Sequence, residues 1–279
     1  MDAVKKLNAS QILREYKTLG SSPLLVLVAN GDSYIVKTTI QKKPTVEVIN
    51  ELICAYLAQC WNLLVPDFAL IQIGQDIYQK FLEEGGELSG LYKLDAFGDR
   101  LYFGSKEIGN AVEFDQYMGK LSGKRDFKRF SSPLDLIKIG VFDLWVGNVD
   151  RRPNNPNILL SNRSGLFDFH PIDHASTFTN QSNYNLVTDA ILRFEENLSI
   201  LKVPFVKSLT NFVSSSVLQN LKLDFLECIK KSIDELDFIL SQVPVDWGLS
   251  KREKVHLKEF FADQARNERI STSYQYFLR

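Results

Sequence analysis

Cysteine, histidine and methionine are scarce in this 279-residue chain, which holds three Cys, three His and two Met. Cys54, Cys60 and Cys228 offer no disulfide framework and no C-x-x-C metal pattern. Each lies in an apolar, helix-like context, which predicts buried free thiols. His170 and His174 lack a third ligand at zinc-site spacing, and His256 is expected to be an ordinary helical histidine. No apolar run is long enough to span a membrane, and the opening MDAVKKLNAS lacks the apolar core of a signal peptide. The expectation is a cytoplasmic protein that engages no membrane. Excess charge of one sign is missing too. A net charge of −1 gives no electrostatic reason for nucleic-acid binding. There is no repeat, no Walker pattern and no full G-x-G-x-x-G.

What the chain does have suits a packed core, with 44% hydrophobic and 24% charged residues. Its length fits one two-lobed domain or two small ones. The informative stretch runs from Leu144 to Phe178, LWVGNVDRRPNNPNILLSNRSGLFDFHPIDHASTF. Asp150 lies in a turn-rich segment, followed by Asn155 and Asn157. Ile158-Leu159-Leu160 reads as a short buried strand, SNRSG as a hairpin turn, and a second strand is expected to carry Ile172-Asp173-His174-Ala175. Such a hairpin would bring Asn157 and Asp173 together. An aspartate, an amide oxygen and a second carboxylate are the groups that phosphoryl transfer needs, to position a hydroxyl and to hold magnesium on nucleotide phosphates. Asn154 alone reads as a surface-loop residue.

Towards the N-terminus, residues 2–18 fit a short helix or an extended lead-in. Leu24–Val28 and Ser33–Thr39 read as strands joined by an Asn30-Gly31-Asp32 turn. Gly20-Ser21-Ser22 is a small-residue turn whose amides could approach phosphates. Lys37 closes the second strand; it is either a snorkelling surface lysine or a contact to nucleotide phosphates. Thr45–Asn62 shows helical periodicity and carries Glu51, either a solvated carboxylate or a partner for Lys37. Phe68–Ile73, then Ile77–Leu82 after a Gly74-Gln75-Asp76 turn, read as two more strands, with Tyr78–Leu82 as the crossover to a second lobe. Tyr102–Lys106 reads as an interrupted loop. Lys120, Lys124, Arg125, Lys128 and Arg129 form a basic patch: a solvated surface, or one for acidic groups. Pro133–Trp145 reads as a helix delivering the chain to the Gly147–Asp150 turn. Beyond Phe178, helices are expected at Val187–Phe194, Pro204–Ser215, Leu218–Gln242 and Lys251–Arg269. Trp247 is expected to be buried in a connector.

GNVDRRPNNPNILL followed by PIDHASTF resembles the catalytic and metal-binding segment of HipA-like kinases, distant relatives of the phosphoinositide 3/4-kinases and of protein kinases; YIVKTT resembles their lysine strand. The resemblance implies an α+β, bilobal protein-kinase-like fold. Its small β-rich N-lobe would span residues 1–82, and its larger, mainly helical C-lobe residues 83–279. It implies Asp150 as the catalytic aspartate, Asp173 as the main metal ligand and Lys37, braced by Glu51, on the phosphates of ATP. Asn157 is the preferred second ligand for Mg2+, because it directly precedes the strand; Asn155, at the usual interval from Asp150, is the other choice. Arg152 stands where many relatives have His. The implied activity is transfer of the γ-phosphate to a protein Ser/Thr hydroxyl. The alternatives are a nucleotide-binding pseudokinase acting as an interaction module, or an enzyme that acts on a small molecule or transfers a nucleotidyl group. Relatives commonly act as toxins neutralised by a DNA-binding partner, so a regulatory partner protein is a further expectation. Ser21 and Ser22 are autophosphorylation candidates by position.

Overall fold

The structure is a computed structural model that describes residues 1–16, 22–37, 46–88, 97–118, 121, 123–178, 183–187, 199–209 and 211–277. Gly20, Ser21, Lys120 and all but the first residue of the helix expected at Val187–Phe194 lie outside the described residues. The chain divides into two compact units, one made of Met1–Leu52, Pro66–Ile108 and Ser241–Leu249, the other of Ile53–Val65, Gly109–Leu240 and Ser250–Arg279.

In the first unit five strands close a barrel: β1 (Lys5–Glu15), β2 (Leu24–Val28), β3 (Ser33–Lys37), β4 (Phe68–Gln72) and β5 (Leu101–Lys106), in the order β1-β2-β3-β5-β4. The lead-in is thus a strand. Its register with β2 shifts between Ala9 and Gln11 and again between Ile12 and Arg14, so its buried residues, Ala9 and Ile12, fall three apart. Such bulges erase the two-residue alternation by which a strand is read. The β2–β3 turn forms as expected. Gly31 takes φ 86°, and Asn30 Oδ1 accepts the Asp32 N–H at 3.0 Å. Apolar residues from all of β1–β5 fill the barrel, among them Ile12, Leu24, Val26, Val36, Ile71 and Tyr102.

Two expectations fail in this unit. Ile77–Leu82 is no strand and no crossover, because it lies in helix α2 (Gln75–Glu83). Ile77, Tyr78 and Phe81 share one helical face against the barrel core, with Tyr78 stacked on Phe97 at 4.4 Å between ring centroids. Tyr102–Lys106 is no loop, because it belongs to β5, which pairs with both β3 and β4. Gly104 interrupts the apolar pattern there for a steric reason: a Cβ would meet Ile71 Cγ1 at 2.4 Å. The barrel therefore draws a strand from beyond residue 82, and it also takes in Trp247, whose indole N–H donates to Leu101 O at 3.1 Å.

Helix α1 (Val46–Cys60) begins in the first unit and continues in the second. The second unit is mainly helical. Its short helices are α3 (Asp115–Met118), α4 (Lys124–Phe127), α6 (Pro204–Leu209) and α8 (Leu236–Ser241); its longer ones are α5 (Asp135–Val146), α7 (Ser215–Asp234), α9 (Lys251–Ala262) and α10 (Gln264–Phe277). A three-stranded sheet accompanies them: β6 (Val112–Glu113), β7 (Ile158–Arg163) and β8 (Leu166–Pro171). The expected Leu218–Gln242 helix breaks at Glu235, and the last one breaks at Asp263. Pro204 opens a helix that ends at Leu209, well short of Ser215. Around α5 the core is aromatic, with Trp61 packed on Phe142, Trp145 and Phe225. Cys54, Cys60 and Cys228 are buried free thiols. No helix among the described residues is long and apolar enough to cross a membrane.

Candidate active site

In the first unit, β3 ends on Lys37 and α1 presents Glu51, and the lysine ammonium is hydrogen-bonded to the Glu51 carboxylate. Glu51 is buried and Lys37 partly exposed. A carboxylate is stable in so dry a place only with a cation or donors against it, so the pair reads as a built feature. Of the small-residue turn before β2, only Ser22 is described.

In the second unit the site grows from the end of α5. That helix stops at Gly147, whose left-handed backbone (φ 64°) closes the last turn. Asn148 then turns the chain: its Oδ1 accepts the N–H groups of Asp150 (3.0 Å) and Arg151 (3.3 Å), and its Nδ2 donates to Asp143 at 3.1 Å. Asp150 is thereby set at the mouth of a small loop closed by backbone bonds between Arg152 and Asn155. Both asparagines turn back on it. Asn155 Nδ2 lies 2.9 Å and Asn157 Nδ2 3.3 Å from Asp150 Oδ2. Arg152 has its Nη2 3.5 Å from Asp150 Oδ1. Asn154 is exposed, as a loop residue should be.

The hairpin brings Asn157 beside Asp173, though not as a strand carrying Ile172–Ala175. β8 ends at Pro171, and the pairing continues through one more bond, from Ile172 N–H to Asn157 O at 2.9 Å. Asp173 follows in the left-handed region (φ 58°), as does Asn157 (φ 46°). Asn and Asp are the non-glycine side chains that enter this region most readily, and here one of each does so at the same end of one hairpin. The turn at the other end, Ser164-Gly165, also has φ positive at both positions, as a tight hairpin requires.

The donor set fits a hard cation. Because Asn155 and Asn157 both direct their N–H groups at Asp150, their amide oxygens face away from that carboxylate, and the Ile172–Asn157 backbone bond brings the chain at Asp173 alongside. Among the described residues no group of three or more His, Cys, Asp or Glu could hold a metal. Magnesium, for its part, uses one or two protein carboxylates and takes its remaining oxygens from phosphates and water.

Arg151 and Asp143 escape a reading of the sequence. Arg151, wholly buried, pairs through Nε with Asp143 at 2.9 Å and donates through Nη1 to Asn157 O (2.5 Å) and Ile172 O (2.9 Å). Its Nη2 lies 3.0 Å from His174 Nε2. Burial pushes the Asp143 carboxyl up to about 6, with the Arg151 guanidinium opposing the shift. The one visible signal was an Asp inside the otherwise apolar DLIKIGVFDLWV helix, eight residues before an Arg.

The likeness to one solved structure bears out the class of fold. The chain is similar to a Helicobacter pylori proinflammatory kinase, CtkA, with a TM-score of 0.53 at 12% identity over 95% of this chain and 94% of that one. A Golgi casein kinase solved with Mn and ADP bound is more distant, with a TM-score of 0.47 at 14% identity over 95% of this chain and 74% of that one. The search of curated proteins finds no match. The HipA-like kinase family model matches residues 9–277. A kinase fold, a Lys–Glu pair closing the lysine strand and an Asp–Asn–Asp hairpin thus meet in a chain that belongs to the HipA-like kinase family.

Proposed function

We propose that this kinase transfers the γ-phosphate of ATP, with Mg2+, to a Ser or Thr hydroxyl of a protein. The observation that carries the reading is the convergence of both asparagine amides on the Asp150 carboxylate, next to Asp173. In this reading Asp150 accepts the hydroxyl proton, or orients that hydroxyl, from a carboxylate about one-third exposed. Asn157 or Asn155, together with Asp173, holds Mg2+. When bound, the ion offsets the charge of the phosphate oxygens. Lys37 directs its ammonium at the phosphates, and Glu51 fixes where that ammonium points. Buried free thiols suit a reducing, cytosolic compartment. Regulation by a partner protein, as in the family's toxin–antitoxin members, belongs to the same proposal.

Calorimetry with ATP, with and without Mg2+, tests it. Wild type should bind tightly only with metal, and Asp173→Asn should lose that dependence. Asp150→Asn should keep binding while turnover drops about 10²–10⁴-fold. A folded wild-type sample that binds no nucleotide with Mg2+ or Mn2+ would sink the proposal. A product that gains the mass of AMP instead of phosphate would reassign the group transferred.

A further inference from the structure

Arg151 sits at the centre of the second unit's polar network, yet it reaches neither solvent nor any place where substrate could lie: its side chain has no exposed surface. A buried guanidinium is usually explained by one ion pair. This one does more, because its fork spans three segments of chain. Nε faces Asp143 on α5. Nη1 reaches Pro156 O (3.3 Å), Asn157 O and Ile172 O, which come from the two strand ends of the hairpin. Nη2 faces His174, two residues beyond Ile172.

The choice of acceptors is informative. The Asn157 carbonyl orientation is set by the backbone rotation within Asn157, and the Ile172 carbonyl belongs to the peptide plane that leads into Asp173. Those are the two residues with left-handed backbone, φ 46° and φ 58°. Fixing the two peptide planes fixes the direction in which both side chains leave the backbone. Arg151 also follows Asp150 directly, and the backbone N–H groups of both bond to Asn148 Oδ1. One cation therefore ties the segment bearing Asn155 and Asn157 to the segment bearing Asp173, and anchors both to the rigid α5 through Asp143.

We propose that Arg151 is a positioning residue for the metal site. Through three backbone carbonyls it presets the spacing of the asparagine and Asp173 ligands, and Asp143 holds the guanidinium in place. The proposal rests on the metal-binding reading above, and holds whichever asparagine is the ligand. Lysine could not replace it, since a single ammonium cannot face Asp143 and the two strand ends at once. Supports of this kind typically change metal affinity or activity by 10–100-fold when removed.

The test must separate positioning from plain structural pairing. A buried ion pair exchanged as a whole for apolar residues of similar size often leaves stability unchanged. The double variant Asp143→Leu/Arg151→Met should therefore fold while lacking the clamp. Binding of AMP-PNP would be measured by calorimetry in Mg2+ and again in EDTA, for wild type, the double variant, Arg151→Lys and Asp173→Asn. Folding would be verified by circular dichroism. The expected result for the double variant is AMP-PNP affinity about 10–100-fold weaker in Mg2+ and unchanged in EDTA. Arg151→Lys, which keeps a cation beside Asp143, should show the same split and decides the matter if the double variant does not fold. A folded variant with the wild-type gain from Mg2+, beside an Asp173→Asn variant that has lost it, overturns the positioning role alone. Wild type with no gain from Mg2+, or Asp173→Asn with a full one, overturns the metal reading and this proposal together.

Discussion

At the scale of single residues, the polar groups that the sequence exposes and those it hides differ in how far they stand out from their local pattern. Asp150, Asn155, Asn157 and Asp173 stand out because they interrupt apolar strands within one short stretch. Arg151 and Asp143 do not, because an Asp within a helix and an Arg within a turn look ordinary until folding sets them 2.9 Å apart. That pair carries a prediction with a defined sign. Asp143 is raised by burial from 3.8 to about 6, so between those values the folded protein binds more protons than the unfolded chain. Its contribution to stability is full at low pH and is lost as pH rises through about 6. Relative to Asp143→Asn, wild type should lose roughly 2–3 kcal/mol between pH 4 and pH 7, read from urea midpoints at each pH. A gap that moves the other way would mean that the Arg151 charge outweighs burial.

At the scale of elements, α5, the β2–β3 hairpin and the β7–β8 hairpin follow from local pattern: a continuous apolar run after Pro133, and Gly at positions of positive φ. The elements misread are those where a neighbour overrides the pattern. The two register shifts hide β1, Gly104 hides β5, and α2 passes for a strand because its apolar residues are few and clustered. Gly140, inside α5, makes the same point as a forecast. Alanine is the better helix former by about 1 kcal/mol, yet a Cβ at this position would meet Leu201 Cγ and Cδ2 at 2.5 Å and Ile200 Cγ2 at 3.2 Å. Leu201 is fully buried and has little room to move. Overpacking of this kind costs about 1–3 kcal/mol, so Gly140→Ala should lower the thermal midpoint despite its propensity. A raised midpoint would show that Leu201 repacks freely.

At the scale of the whole molecule, the order of the chain is the part least legible in advance, because no local pattern reveals that Ser241–Leu249 belongs with the barrel. Two bonds show it: Val4 N–H to Gln242 Oε1 at 3.1 Å, and the Trp247 indole to Leu101 O. Trp247 is almost wholly buried, and Trp247→Ala should cost about 3–5 kcal/mol. The loss should fall on the first unit, so that hydrogen exchange quickens in β1–β5 while α7 and α10 keep their protection. An equal loss in both would mean that the two units open as one.

The same return of the chain has a consequence for biosynthesis. Domains tend to fold in the order in which they leave the ribosome, at about 5–20 residues per second. Here the barrel's strands are all made by Lys106, but its last piece, the segment with Trp247, comes some 140 residues later. At those rates the nascent barrel waits on the order of ten seconds for that segment, and for the Trp247 bond to Leu101 that comes with it. An N-terminal fragment ending after Lys106 would hold every strand of the barrel and still lack Trp247 and its bond to Leu101.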